Sequence, residues 1–216
     1  MRDSTQCARI RAKWHDKKRI LRGYDTFATG YDGLYSEEQD KKYASVSPCF
    51  RAFKSPILDS GCGTGRLLDS PTINGKTAVG VDYSYLMLLQ AKKRLRKREN
   101  IALVQADAEY LPFRDQVFGT VVSFSLLEDL SDWKNAITEM CRVAGNSSLL
   151  VISSLKKNFQ YESFLQHCKE LNLAPIYAVD VEDIKDFVAV YTKKGVITSI
   201  RPNSFLEAKE HQRQSD

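Results

Sequence analysis

The chain has 216 residues, of which 43% are hydrophobic and 27% are charged, and its formal net charge at pH 7 is +5. This length allows one substantial hydrophobic core, and the composition excludes a disordered or fibrous chain, so we expect a single globular domain. Five scattered cysteines without a C-x-x-C pair argue against a disulfide framework and a thiolate zinc site. No apolar run is long enough to span a bilayer, and a cytoplasmic location is the resulting expectation.

The positive charge is concentrated near the N-terminus. Residues 1–22 contain eight lysines and arginines and two aspartates, so the rest of the chain is close to neutral. Such a segment binds polyanions in some proteins and is a solvated terminus in others. The sequence therefore predicts a basic leader at 1–22, a domain at 23–200 and a polar tail at 201–216.

From residue 57 onward, short apolar runs alternate with segments of helical periodicity. The runs of strand length are 57–58, 76–82, 101–107, 119–125 and 147–154. The predicted helices span 84–98, with Ser84 as the N-cap, 131–144, and about 158–171. Residues 174–183 and 186–195 follow without a helix between them, and we expect them to pair as an antiparallel edge.

This alternation predicts βαβ units, which form a mostly parallel sheet with helices on both faces. In such a sheet, ligands bind beyond the carboxyl ends of the central strands. Gly61, Gly63 and Gly65 follow the first strand at alternate positions, and Asp82 ends the second. An acidic residue at that place can bind the hydroxyls of a ribose, so a cofactor containing a nucleoside is indicated.

The spacing of the glycines separates this loop from two phosphate-binding motifs. The dinucleotide fingerprint is G-x-G-x-x-G and the P-loop ends in G-K-[ST], whereas this loop is G-x-G-x-G followed by Arg66. A tight turn from a strand into a helix is the structural alternative for a glycine cluster taken alone. A third acidic residue, Asp107, ends the third predicted strand.

The segments D-S-G-C-G-T-G, G-V-D-Y-S and A-D-A-E-Y-L-P-F follow one another at 59–65, 80–84 and 106–113. Together they resemble the class I S-adenosylmethionine-dependent methyltransferases, most of all the branch that includes the ubiquinone/menaquinone C-methyltransferases. The resemblance covers about 24–194. It implies a doubly wound, mostly parallel seven-stranded sheet with an antiparallel edge strand in a Rossmann-like three-layer αβα fold. It also implies S-adenosylmethionine as cofactor, S-adenosylhomocysteine as product, and no metal.

The resemblance assigns roles to the residues that match the motifs of the family. On the cofactor side, Asp59 and the loop of Gly61, Cys62, Gly63 and Gly65 would contact the methionine part, Asp82 the ribose, and Tyr83, Asp107 and Ala108 the adenine. Tyr24 and Tyr31 would close over the cofactor, although ordinary aromatic packing is an alternative for both. Ser123 is a further candidate near the presumed methyl group. Cys62 is alternatively a small buried filler.

The segment after the fourth strand departs from the family pattern. Asp129 stands where a histidine is common, so a histidine-assisted reaction is not expected. A positioning mechanism suits this departure, because a sulfonium already activates the methyl group. Ser125 is the candidate that binds the acceptor, and Glu128 the candidate that orients it or takes a proton. Alternatively, Glu128 and Asp129 only begin a helix.

Three functions compete at this stage. The first is methyl transfer to a small molecule, which the shortness of the chain favours. The second is methylation of tRNA or rRNA, held by the leader and the basic cluster Lys92–Arg98, although that cluster is alternatively a solvated helix end. The third is a non-catalytic binding protein that keeps the cofactor fold. Deletion of residues 1–22 should leave cofactor affinity intact, and if turnover of the acceptor also survives, the leader is not a substrate-binding arm. A protein partner cannot be predicted.

Overall fold

The computed structural model describes residues 4–157, 161–179 and 184–193. The tail predicted at 201–216 and the first residues of the helix predicted at 158–171 lie outside these ranges. In the described ranges the helices are α1 (Ser4–Phe27), α2 (Tyr31–Ser45), α3 (Arg66–Asp69), α4 (Tyr85–Arg94), α5 (Trp133–Val143) and α6 (Tyr161–Glu170). The strands are β1 (Ile57–Ser60), β2 (Ala78–Asp82), β3 (Ile101–Gln105), β4 (Phe118–Ser123), β5 (Ala144–Leu155), β6 (Leu173–Val179) and β7 (Asp186–Lys193).

The seven strands form one sheet in the order β3-β2-β1-β4-β5-β7-β6. Strands β1 to β5 pair in parallel, and β7 pairs antiparallel with both β5 and β6. The predicted doubly wound, mostly parallel sheet is confirmed. The antiparallel strand is β7, which lies one position inside the edge, and β6 forms the edge itself. Because β1 and β4 are neighbours at the point where the strand order reverses, the crevice above their carboxyl ends is the expected ligand site.

Capping residues explain where two of the helices begin. The Ser84 hydroxyl accepts a hydrogen bond from the Met87 N–H at 3.1 Å, as its predicted N-cap role requires. Helix α5 begins one residue later than a Ser131 cap would give, since the Asp132 carboxylate accepts from the Asn135 N–H at 3.1 Å. Each such cap stabilises its helix by about 1 kcal/mol.

Two hydrophobic cores lie on opposite faces of the sheet. Neighbouring residues of one strand alternate between them, so that Val121 packs with α5 and α6, and Val122 packs with α4. The alternation follows from the two-residue period of a strand, and it produces the predicted three-layer arrangement.

The N-terminal helices cover the carboxyl ends of the central strands. Helix α1 packs against α4, and α2 packs against β7. Since α1 runs from Ser4 to Phe27, it continues without a break across the predicted boundary between residues 22 and 23. Within the described part of the chain, no helix is long and apolar enough to cross a membrane.

Candidate active site

The glycine loop approaches α4 on one side and leaves open space on the other. Gly65 has a φ of +74°, and a Cβ there would lie 3.0 Å from the Ala91 Cβ, so a larger residue would clash with α4. Gly63 has a φ of +52°, and no atom lies within 4 Å of the position of its Cβ. Gly63 lines a notch of about 100 Å³, so its missing side chain leaves the backbone accessible to a ligand.

Asp82 holds the loop in place. One carboxylate oxygen accepts from the Gly63 N–H and the other from the Ser84 N–H, both at 2.8 Å. Burial raises the pKa of Asp82 to about 6, although these backbone hydrogen bonds oppose the shift. A carboxylate in this position connects the glycine loop of β1 to the start of α4 and lines the notch between them.

Asp59 is a buried carboxylate. It is 4% exposed, and burial, followed by the charge of Asp82, raises its pKa to about 7. No lysine, arginine or histidine of the described ranges pairs with it. Asp59, Cys62 and Gly63 line a small cavity of about 40 Å³. A ligand that carries a positive charge would therefore compensate Asp59.

The adenine-side residues contact the N-terminal helix. Lys17 of α1 places its ammonium nitrogen 2.5 Å from one Asp107 oxygen and 2.8 Å from the Glu109 carboxylate. The second Asp107 oxygen accepts from the Glu109 N–H at 2.9 Å. Asp107, Ala108 and Tyr83 line the notch together with Lys17. The predicted adenine acceptor is thus bridged to α1 by an ion pair.

The sequence predicts that deletion of the leader at 1–22 leaves cofactor affinity unchanged, whereas the structure predicts that affinity falls. Because Lys17, Ile20 and Leu21 line the notch, deletion of residues 1–22 is expected to weaken binding of S-adenosylhomocysteine, by about 1–2 kcal/mol for the lost contacts. Isothermal titration calorimetry of the truncated and full-length chains measures the difference. The substitution Lys18→Met is the matched control, since Lys18 is exposed and contacts Trp14. Equal affinity in the truncated and full-length chains would contradict a contribution of α1.

The two predicted covering tyrosines lie side by side above the notch. Their ring centroids are 6.1 Å apart, and the Tyr24 hydroxyl donates a hydrogen bond to Asp129. Burial and the charge of Asp129 raise the pKa of Tyr24, so this hydroxyl stays protonated. Asp129, in the position where the family commonly has histidine, is therefore an anchor for α1 instead of a residue that only begins a helix.

A larger cavity of about 490 Å³ opens beside the notch. The residues that line both spaces are Ile20, Tyr24, Tyr31, Ser125 and Asp129. Ser125 has a φ of +50°, an uncommon conformation for a residue with a side chain. Its N–H donates to the Ser153 hydroxyl at 2.9 Å, which fixes this turn at the end of β4. The two cavities therefore meet at Ser125.

A buried ionic network of Lys42 and Asp186 contacts the Ser125 hydroxyl. The Lys42 ammonium lies 2.6 Å from the Ser125 hydroxyl oxygen and 2.9 Å from Asp186, which is fully buried. The Ser125 hydroxyl in turn donates to Asp186 at 3.0 Å. Lys42 belongs to α2 and Asp186 to β7, so the network also attaches the covering helix to the sheet. Ser125 is thus held in one orientation.

Glu128 faces the larger cavity and is accessible from it. Its carboxylate accepts from the Ser154 hydroxyl at 3.1 Å. Desolvation by the surrounding protein, with the charge of Asp186, raises its pKa to about 7. A carboxyl group with this pKa can exchange a proton near neutral pH.

Most of the candidate residues from the sequence line the notch, the larger cavity or the small cavity that contains Asp59. Two candidates, Ser123 and Gly65, line none of these cavities. Ser123 is completely buried in β4, and its hydroxyl has no hydrogen-bond partner among the described residues. Gly65 packs against α4. Sequence reasoning missed Lys17, Gln39, Lys42 and Asp186, since none of them belongs to a motif and each acts through a contact distant in the chain.

Comparison with known proteins identifies the fold and a matching domain family. Residues 58–152 match a family described as a methyltransferase domain. The chain is 32% identical over 149 residues to malonyl-acyl-carrier-protein O-methyltransferase of Buchnera aphidicola, covering 68% of this chain and 58% of that protein. It is 29% identical over 144 residues to demethylmenaquinone methyltransferase of Thermobifida fusca, covering 63% and 61%. The crystal structure of magnesium protoporphyrin IX methyltransferase from Synechocystis PCC 6803 superposes with a TM-score of 0.69 at 14% identity, covering 83% of this chain and 97% of that chain.

The matches and the site together define a class I methyltransferase fold. The chain contains a match to a methyltransferase domain at 58–152 and is similar to S-adenosylmethionine-dependent methyltransferases. It spans 58% and 61% of the lengths of the two curated relatives named above.

Proposed function

We propose that this protein transfers a methyl group from S-adenosylmethionine to a small-molecule acceptor. The observation that carries the proposal is Asp59, a buried carboxylate that pairs with no cation of the described residues, beside the open backbone of Gly63. These residues fit a ligand with a positively charged methionine group. The similar proteins are named for methyl transfer to malonyl-acyl-carrier protein, demethylmenaquinone and magnesium protoporphyrin IX, and the last two names support a small acceptor.

In this proposal the residues of the chain bind, orient and exclude water. Asp82 binds the ribose hydroxyls, Asp107 and Ala108 bind the adenine, and Asp59 binds the methionine ammonium. S-adenosylmethionine supplies an activated methyl group when bound. Tyr24 and Tyr31 cover the meeting point of the two cavities, and exclusion of water there favours an in-line displacement. Ser123 acts only through the packing of β4.

Two of the six basic residues of the Lys92–Arg98 cluster contact the protein itself, which weakens the RNA alternative. Arg94 donates to the Thr64 carbonyl oxygen at 2.7 Å and pairs with Asp32, and Arg98 donates to the Ser70 carbonyl oxygen at 3.0 Å. Both guanidinium groups are thus used within the protein. The free thiols of Cys49, Cys62, Cys141 and Cys168 support a reducing compartment, and we propose the cytoplasm.

Transfer of labelled methyl groups tests the proposed acceptor class. With labelled S-adenosylmethionine and fractionated cell extract, the label is expected in low-molecular-weight material that resists ribonuclease and protease. Label only in material sensitive to ribonuclease would contradict the proposal. The Asp82→Ala variant is the control for transfer that this site does not catalyse.

The pKa of Asp59 predicts how cofactor affinity depends on pH. A cationic ligand prefers the carboxylate, and protonation below about pH 7 removes that attraction. The association constant for S-adenosylhomocysteine is therefore expected to fall about tenfold when the pH is lowered from 8 to 6. Asp82, with a pKa of about 6, contributes at the acidic end of this range.

The variant Asp59→Asn distinguishes the contribution of Asp59 to the pH dependence from that of Asp82. It should bind S-adenosylhomocysteine more weakly at pH 8 and show a smaller pH dependence than the unsubstituted protein. Calorimetric titrations at both pH values measure these affinities. An affinity of the unsubstituted protein that does not change between pH 8 and pH 6 would contradict the role of Asp59.

A further inference from the structure

One wall of the larger cavity is aromatic. Tyr24, Phe27, Tyr31 and Tyr35 line it, and the rings of Tyr31 and Tyr35 are 4.8 Å apart between centroids. The face of an aromatic ring attracts cations, and the attraction increases in a site from which water is excluded. This wall suits an acceptor that combines apolar surface with a positive charge.

The charged residues of the same cavity offer more negative than positive charge. Glu38, Glu128 and Asp129 line it, and among the described residues the cations that line it are Lys42 and Lys185. Lys185 is 76% exposed and pairs with Glu38 at 3.4 Å. An anionic acceptor would therefore enter a cavity lined by carboxylates.

Lys42 is already compensated by carboxylates of the protein. Oxygens of Ser125, Asp186 and Glu38 lie 2.6, 2.9 and 3.2 Å from its nitrogen. Because two of these three neighbours are carboxylates, the one buried cation of the described cavity wall is already neutralised and offers little attraction to an anionic acceptor.

The wall of the larger cavity contains a hydrogen-bond acceptor that has no donor among the described residues. Gln39 is 9% exposed and lines the cavity, and its amide nitrogen donates to the Ser125 hydroxyl oxygen at 3.4 Å. Its amide oxygen has no hydrogen-bond partner among the described residues. An unpaired buried carbonyl is costly, so an occupant of this cavity is expected to bring N–H or O–H donors.

We propose that the acceptor is an aliphatic amine, which enters the larger cavity as an ammonium ion and transfers a proton to Glu128. This inference rests on the methyltransferase function proposed above and names its substrate class. The ammonium contacts the ring faces of Tyr31 and Tyr35 and donates to the Gln39 amide oxygen and the Glu128 carboxylate. Ser125 orients the nitrogen at the junction with the notch.

Glu128 makes the nitrogen nucleophilic. It accepts one N–H proton, which leaves a lone pair on the nitrogen. That lone pair forms the new N–C bond to the methyl carbon, while the C–S bond breaks and its electron pair stays on sulfur. The products are the methylated ammonium, S-adenosylhomocysteine and protonated Glu128, so charge and atoms balance. The pKa of about 7 suits Glu128 to this exchange.

Binding of three phenyl-substituted probes tests the inference without turnover. Phenethylammonium, 2-phenylethanol and 3-phenylpropanoate share a ring and differ in charge. In calorimetric titrations at pH 8 with saturating S-adenosylhomocysteine, the ammonium is expected to bind about tenfold or more tightly than the other two. Glu128→Gln should remove most of this advantage. Glu37→Gln, which changes a carboxylate on α2 that is 86% exposed, should retain it.

The outcomes of this experiment separate the inference from the proposed function. If S-adenosylhomocysteine binds but the ammonium probe is not preferred, the amine acceptor is contradicted and the proposed methyltransferase function is not. Preference for the carboxylate probe, or an unchanged preference in Glu128→Gln, also overturns it. Failure of S-adenosylhomocysteine to bind contradicts the proposed function, and the inference fails with it.

Discussion

Replacement of Asp82 with alanine is expected to weaken the binding of S-adenosylmethionine by about 1–3 kcal/mol, which is roughly 5- to 150-fold in dissociation constant. Two losses combine. The ribose hydroxyls lose their proposed acceptor, and the N–H groups of Gly63 and Ser84 lose the carboxylate that now accepts from them. The second loss releases the glycine loop from α4, so the methionine end of the site is affected as well. Calorimetric titration with S-adenosylmethionine measures the effect.

The matched control is Asp69→Ala. Asp69 lies in α3, immediately after the glycine loop, but its side chain is 47% exposed and contacts Arg98 at 3.6 Å. Its removal should leave the dissociation constant unchanged. If Asp82→Ala binds S-adenosylmethionine as tightly as the control, the ribose assignment is wrong.

Replacement of Lys42 with methionine is expected to lower the free energy of unfolding by about 3–5 kcal/mol, because it leaves a buried carboxylate without its partner. Asp186 is fully buried and would lose the Lys42 ammonium at 2.9 Å. The network also attaches α2 to β7, so the covering helix should loosen. Chemical denaturation monitored by circular dichroism gives the stability, and hydrogen exchange over 31–45 gives the local effect.

Lys41→Met is the control for the loss of a lysine from the same helix. The Lys41 ammonium is 3.1 Å from Glu37 at the exposed surface, where an ion pair contributes about 0–1 kcal/mol. The double variant Lys42→Met/Asp186→Asn should recover part of the lost stability, since it removes the uncompensated charge. A Lys42→Met protein as stable as Lys41→Met would show that the network does not hold the helix.

Local motifs in the sequence predict which acidic residues gather at the ends of the central strands. Asp59 and Asp82 lie at the carboxyl ends of β1 and β2, and Asp107 follows β3. Parallel pairing of β1, β2 and β3 places these ends side by side. The glycine spacing and the strand alternation are also local signals. Positions relative to strand ends are therefore sufficient to predict that these residues meet.

The contacts of α1 and α2 with the site join residues that are distant in the sequence, and no local pattern predicts them. Lys17 contacts Asp107 across 90 residues, and Lys42 contacts Ser125 across 83 residues. Lys18, Arg19 and Arg22 of α1 and Lys41 of α2 are exposed, so composition alone predicts a solvated surface for Lys17 and Lys42 as well. The insertion of β7 between β5 and β6 brings Asp186 under Ser125, and antiparallel pairing of the last two strands does not by itself fix that order.

The account depends most directly on whether S-adenosylhomocysteine binds in the notch that Asp82 and Asp107 line and in the small cavity that Asp59 lines. Calorimetric titration of the full chain at pH 8 and at two temperatures measures this, because binding that shows no heat at one temperature does so at another. We predict one site per chain, with an affinity that Asp82→Ala reduces and Asp69→Ala leaves unchanged. Absence of binding at both temperatures, or binding with the same affinity in Asp82→Ala, would contradict the account.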